Sequence, residues 1–211
     1  MEPLTVPARK ERGVGFRARG WIGGLTLAPL VPLVLLSVPL VPEESWLDVA
    51  FDGAAWIVFL AGATFRFWAT LYVGGRKDRV VVDAGPYSLC RHPLYLGSLL
   101  LACSAGLFLK SVTFAAGIPL AMLGYVALTL PAEERWLIQH LGEPYTAYCR
   151  RVPRFWPFSA RFVTPARIDV DLTAVWTEAR RSSRWLLLPL LGEILAHLRI
   201  EPWWPHIFRL P

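Results

Sequence analysis

Apolar residues run together along most of the first 130 positions instead of alternating with polar ones. Residues 21–41 carry no charged side chain, 54–73 carry one, Arg66, and 94–109 and 111–130 carry none. At about 1.5 Å of rise per residue, a helix of about 20 residues matches a hydrocarbon core of about 30 Å. Three runs have that length; the 94–109 run is shorter and makes up the difference by extending back through Pro93 or by tilting against partners. A helix apolar on every side is either sealed in a large soluble core or faces lipid. A chain of 211 residues with few amphipathic elements cannot seal four of them. The pattern therefore predicts an all-α polytopic membrane bundle, with helices over about 21–41, 54–73, 93–109 and 111–130.

The polar intervals predict the rest. Residues 1–20 form a basic tail, and its Gly13-Val14-Gly15-Phe16-Arg17-Ala18 lacks the preceding strand that a dinucleotide-binding turn requires. Gly74-Gly75-Arg76-Lys77 reads as a turn, Val80-Val81-Val82 as a short extended piece, and Gly85-Pro86 as another turn. Pro93 suits a first helical turn because it has no N–H to leave unpaired. The last two apolar runs form a tight hairpin at Lys110-Ser111. Beyond Leu130, Pro131 and Glu133-Glu134 suit a helix start, and Gly142 suits its end. Tyr145, Tyr148 and Val152 then recur at helical spacing until Pro153. Residues 168–184 are amphipathic, and 185–200 are apolar but broken by Pro189 and Glu193, so that segment spans, re-enters or lies at the interface. Arg66 either snorkels to the membrane face or points into a polar cavity. No repeat or linker divides the chain, which reads as one domain over 1–211.

Charge adds orientation. Only 18% of residues are charged, against about a quarter in soluble domains. Arg9, Lys10, Arg12, Arg17 and Arg19 precede the first run, and Arg76, Lys77, Arg79 and Arg91 separate the second from the third. The connection between the first two runs carries Glu43, Glu44 and Asp48 instead. This alternation places both termini on the cytoplasmic side. The net charge of +6 is then a property of that membrane face, suited to anionic lipid heads, and gives no reason to expect nucleic acid. A cleaved leader is not expected, because the first run ends in Val41-Pro42-Glu43-Glu44, not in a small-residue site. Cys90, Cys103 and Cys149 are too few and too widely spaced for a disulfide framework or a zinc site, and His140, His197 and His206 are too dispersed for a metal centre.

The chemistry concentrates in two polar stretches. The first reads Gly85-Pro86-Tyr87-Ser88-Leu89-Cys90-Arg91-His92-Pro93-Leu94-Tyr95-Leu96-Gly97, and an Arg-His pair at the mouth of an apolar helix is unfavourable unless something binds there. Tyr95 follows Arg91 by four and His92 by three, so the three meet on one side of a helix start. The second stretch runs from Glu133-Glu134 through Gly142, Tyr145, Tyr148 and Arg151-Val152-Pro153-Arg154-Phe155.

Together these stretches resemble the isoprenylcysteine carboxyl methyltransferase and phospholipid methyltransferase superfamily of integral-membrane enzymes. The resemblance covers residues 83–157 and implies a cytoplasmic cofactor-binding cap on the helix bundle. It implies methyl transfer from S-adenosylmethionine to a lipophilic acceptor reached from the bilayer. Carried over, His92, Pro93, Tyr95 and Leu96 line the cofactor with Tyr87 and Tyr148 nearby, and Glu133 or Glu134 holds its polar end. Arg91 and Arg151 correspond to positions that orient a carboxylate acceptor or stabilise the reacting site. The acceptor is then the carboxylate of an isoprenylated cysteine, with a lipid amine or a small thiol as alternatives. Two arginines favour a carboxylate by charge. A membrane protein that keeps the scaffold without catalysing is the remaining class. The segment after Pro157 departs from the short family pattern.

Overall fold

A computed structural model describes residues 27–38, 41–42, 45–155 and 161–208. The basic tail and residues 21–26 and 39–40 of the expected first span lie outside them. The described part of that span holds α1 (Leu30–Leu35), after which Ser37 forms an isolated parallel bridge with Phe208 near the far end of the chain.

The longest element, α2 (Trp46–Val73), starts earlier than the apolar run because Ser45 caps it, accepting a hydrogen bond from the Asp48 N–H. Asp48 and Asp52 on its first turns hold Lys110 of the later hairpin, Asp52 Oδ2 at 3.1 Å. Where a turn was expected, Pro86–Leu89 winds into the short α3. Then α4 (Pro93–Phe108) opens on Pro93, with Gly97 in its second turn. Gly97 and Gly62 let α4 and α2 approach closely: a side chain at Gly62 would come within 3.0 Å of the Gly97 carbonyl oxygen, and one at Gly97 would run into Arg66 Cγ.

Lys110, with a positive φ of 47°, turns the chain into α5 (Val112–Gly124), which Ser111 caps through the Phe114 N–H. Helix α5 passes through one π-helical turn, Tyr125–Thr129, into α6 (Leu130–Leu141) without a break. The helices Trp46–Val73 and Val112–Leu141 are long and apolar enough to cross a membrane; Pro93–Phe108 is apolar but shorter. Ile57, Leu60, Leu120, Leu123 and Leu128 stand exposed along the two long helices, where a bilayer would cover them.

Gly142 at φ 64° turns α6 into α7 (Glu143–Arg151). Further along, Asp171 caps α8 (Leu172–Trp185), which leads into α9 (Leu187–Ile200). Helix α8 lies on the end of α2, with Asp171 and Ala174 against Gly74, and Gly192 of α9 sits on Phe108 of α4. At 14 residues, about 21 Å long, α9 is shorter than a hydrocarbon core is thick. Among the described residues every regular element is a helix apart from the single bridge.

Candidate functional site

The C-terminal end of α2, the start of α4, the start of α6 and the chain leaving α7 meet at one end of the bundle. The backbone ties them first. Arg91 donates its N–H to the Pro153 carbonyl at 2.9 Å, and His92 donates to Arg154 at 3.3 Å. The two polar stretches are therefore paired segments of one site.

Glu134 sits at the centre of that pairing. Its carboxylate accepts from Arg91 Nη1 at 2.8 Å and from Arg154 Nη2 at 2.7 Å, and lies 3.2 Å from His92 Nε2. Arg91 also donates through Nε to the Val152 carbonyl at 2.8 Å. Burial alone would raise the Glu134 pKa, but the hydrogen bond with His92, that with Arg154 and the charge of Arg91 outweigh it and hold the carboxyl at about 2. Its neighbour Glu133 has a different environment, accepting the Tyr95 hydroxyl at 2.6 Å. Tyr148, on α7, donates to the Tyr87 carbonyl at 2.8 Å. Burial pushes the Tyr87 and Tyr148 phenols well above their ordinary range and the Cys90 thiol to about 11, so all three stay protonated at neutral pH.

These residues border a cleft of about 730 Å³. Of the residues expected from the sequence, Tyr87, Arg91, His92, Pro93, Tyr95, Glu133 and Tyr148 line it. Leu96 is half-buried on α4 but does not face it. Glu134 lies behind the wall, its oxygens taken up by Arg91, His92 and Arg154. Arg151 is elsewhere: it is mostly exposed on α7 and pairs with Asp83 at 3.0 Å, away from the cleft. The reason is local. Helix α7 ends at Arg151 and Val152 turns extended, so the chain reverses and Arg154, not Arg151, swings back to the site.

Three contributors were not among the expected site residues, although Arg154 and Phe155 lie in the second polar stretch. Arg154 differs from Arg151 only by lying beyond the helix end. Tyr125 stands in the π-helical turn, a common device for re-aiming side chains, and its ring lies 5.8 Å from that of Tyr95. Phe155 packs beside His92 at 5.9 Å. For Arg66, the cavity reading holds: it is buried, lines the cleft and pairs with Glu178 of α8 at 2.8 Å. Away from the polar end the lining turns apolar, through Leu99, Ala102, Ile118 and Ala121 between α4 and α5. Among the described residues no group of three or more His, Cys, Asp or Glu is placed to hold a metal ion.

Residues 46–144, from the start of α2 into α7, match the phospholipid methyltransferase family model. A nickel-cobalt-cadmium resistance protein of Alcaligenes xylosoxydans xylosoxydans is 28% identical over 86% of both chains. A cobalt-zinc-cadmium resistance protein of Cupriavidus metallidurans is 39% identical over 44% of this chain and 42% of its own length. Protein-S-isoprenylcysteine O-methyltransferase B of Arabidopsis thaliana is 32% identical over 48% of this chain and 50% of its own. The match thus spans half or less of the last two relatives. No solved structure matches the chain.

Proposed function

The chain belongs to the membrane methyltransferase superfamily that joins phospholipid methyltransferases with isoprenylcysteine O-methyltransferases, and from that premise we propose that it methylates a lipophilic acceptor with S-adenosylmethionine as donor. The observation that carries this reading is one cleft with two characters: Glu133 and Tyr95 at a polar end, Leu99, Ala102 and Ile118 along an apolar one. A water-soluble donor and a hydrocarbon tail need those two environments within reach of each other.

The donor set fits the cofactor. Glu133 is a buried carboxylate facing the cleft, suited to a cationic group, and the Tyr95 hydroxyl fixes its orientation. Tyr87, Tyr148 and Phe155 offer aromatic surface for a purine. When bound, S-adenosylmethionine supplies an electrophilic methyl group on a sulfonium sulfur. The protein's part is to hold the acceptor in line with that methyl and to keep water out, so rate comes from positioning and electrostatics. Glu134 contributes indirectly, by clamping Arg91, His92 and Arg154 so that the two polar stretches cannot separate. Tyr125 and Phe155 screen the reacting end.

The acceptor favoured here is the carboxylate of an isoprenylated cysteine or a similar amphiphile, which loses no proton on methylation. Arg91 is already engaged by Glu134 and the Val152 carbonyl, and Arg151 stands outside the cleft, so support for a carboxylate comes from the isoprenylcysteine relatives. The phospholipid description of the family model favours a lipid amine as the second reading. The cleft opens on the cytoplasmic side in this proposal, with both termini there and the bilayer as the route for the acceptor. The test is methyl transfer by the full chain in nanodiscs, with labelled S-adenosylmethionine and a panel of prenylcysteines, lipid amines and thiols. Transfer to one class supports the proposal. Folded protein that binds neither S-adenosylmethionine nor its demethylated product is a binding protein on this scaffold instead.

A further inference from the structure

A second ionic cluster borders the cleft. Arg66 is 7% exposed and Glu178 3%, and Arg66 Nε donates to Glu178 Oε1 at 2.8 Å. Arg66 Nη1 donates to the Leu94 carbonyl at 3.0 Å and to Ser98 Oγ, while the Trp185 ring lies 4.5 Å from its guanidinium carbon. The other oxygen of Glu178 accepts from Arg181 Nη1 at 2.9 Å. Two guanidinium groups share one carboxylate, so the cluster carries one positive charge in excess. Arg66, Arg181, Ser98 and Trp185 all line the cleft.

Arg66 is buried and Arg181 is half-exposed, so the excess charge is reachable from the cleft that both of them line, where an anion can join it. The cluster around Glu134 also sets two guanidinium groups on one carboxylate, but only Arg91 of these lines the cleft, and its Nε is already held by the Val152 carbonyl. Position supports the same conclusion. Ser98 lies three residues after Tyr95 on α4, so the Arg66 cluster is one helical turn from the polar end of the cleft. Gly97 keeps that turn open, since a side chain there would strike Arg66. The apolar lining of Leu99, Ala102 and Ile118 continues from it.

We propose that Arg66 and Arg181, held by Glu178, form a specificity subsite for an oxyanion on the amphiphilic acceptor, a carboxylate or a phosphate, whose hydrocarbon chain lies between α4 and α5. The inference rests on the methyl-transfer reading and adds the acceptor's charge to it. It also gives α8, which lies beyond the matched residues 46–144, a part in acceptor choice.

Calorimetry on the full chain in neutral detergent tests it, with three probes: N-acetyl-S-farnesylcysteine, its primary amide, and lysophosphatidic acid. The carboxylate or the phosphate probe binds at least about tenfold more tightly than the neutral amide, as charge-assisted pairing with a desolvated arginine implies. Arg181→Ala keeps the buried Arg66–Glu178 pair and removes the excess charge, so it narrows that preference to about twofold. Arg66→Lys retains the charge but loses the planar fork, and recovers only part of the preference. A stronger carboxylate or a stronger phosphate identifies the oxyanion. Equal affinity for acid, amide and phosphate in the wild-type protein overturns the subsite, as does an Arg181→Ala variant that weakens the amide as much as the acid. Cofactor titration of the same samples keeps the two ideas apart. Retained cofactor binding with equal acid and amide affinities rejects the subsite alone, whereas absent cofactor binding rejects methyl transfer.

Discussion

Two buried carboxylates organise the cleft, and they do so in opposite ways. Glu134 gathers Arg91, His92 and Arg154 from two distant stretches of chain and is fully occupied by them. Glu178 gathers Arg66 and Arg181 and leaves positive charge facing the cleft. The first cluster is a fastener: its energy goes into keeping the 91–92 and 153–154 segments paired. The second sets both of its arginines on the lining of the cleft. A buried ion pair is thus not evidence of a binding role by itself; each cluster sets two guanidinium groups on one carboxylate, and what separates them is that both arginines of the second line the cavity while only Arg91 of the first does. Glu133 makes the same point one residue away, since it faces the cleft and is held by a neutral hydroxyl.

Breaking the fastener should have the largest effect. Glu134→Gln leaves Arg91 and Arg154 without their counter-charge, and removing one partner of a buried pair costs about 3 kcal/mol. Thermal unfolding in detergent should show the loss. The same cluster sets an acid limit. The carboxyl sits at about 2 in the folded protein, below its ordinary range, so folding favours the ionised form. The stability it contributes is complete above the unfolded carboxylate pKa, about 4.5, and is lost as pH falls from there toward 2. Unfolding midpoints of the wild type should therefore drop across that window more steeply than those of Glu134→Gln. Parallel slopes would remove Glu134 from the acid response.

Crowding the open cluster should have an intermediate effect. Gly97→Ala places a methyl group against Arg66 and forces the arginine or α4 to shift, an overpacking cost of about 1–3 kcal/mol. It should also weaken the acidic probe more than the neutral amide. Unchanged stability together with unchanged probe selectivity would show that Arg66 moves aside freely. The smallest effect is expected at Arg151. Its exposed pair with Asp83 is worth about 0.5 kcal/mol or less, so Arg151→Ala should leave stability and methyl transfer near wild type. A large loss of turnover in that variant would restore the catalytic position that the sequence suggested.

The legible part of the molecule was the part written in local pattern. The apolar runs correspond to α2, α4 and α5, and Pro93, Gly142 and Pro153 mark ends that the structure also shows. Tyr87, His92, Tyr95 and Glu133 could be grouped because they lie in two dense stretches. Long-range partners were not readable. Nothing in the spacing of 168–184 distinguishes Glu178 from a solvated helix charge, and its meaning appears only when α8 lies on α2 and buries it against Arg66. Arg151 and Arg154 are the same residue type three positions apart. Their separation depends on the reversal at Val152, a tertiary event that hydrophobic periodicity does not encode. The π-helical turn at Tyr125 is likewise silent in the sequence, because it changes one hydrogen-bond register without changing the apolar pattern.

The central claim is that the end of the cleft at Glu133 binds the methyl donor, while Glu134 next to it only holds the walls together. Isothermal titration of S-adenosylmethionine into the full chain and into Glu133→Gln addresses it most directly, with thermal unfolding of the same samples as the control for folding. The account predicts that the wild type binds, and that Glu133→Gln binds at least about tenfold more weakly at nearly wild-type stability, because a charge-assisted contact is lost from a site that stays formed. Equal affinity in the two proteins, or no affinity in folded wild type, would contradict it.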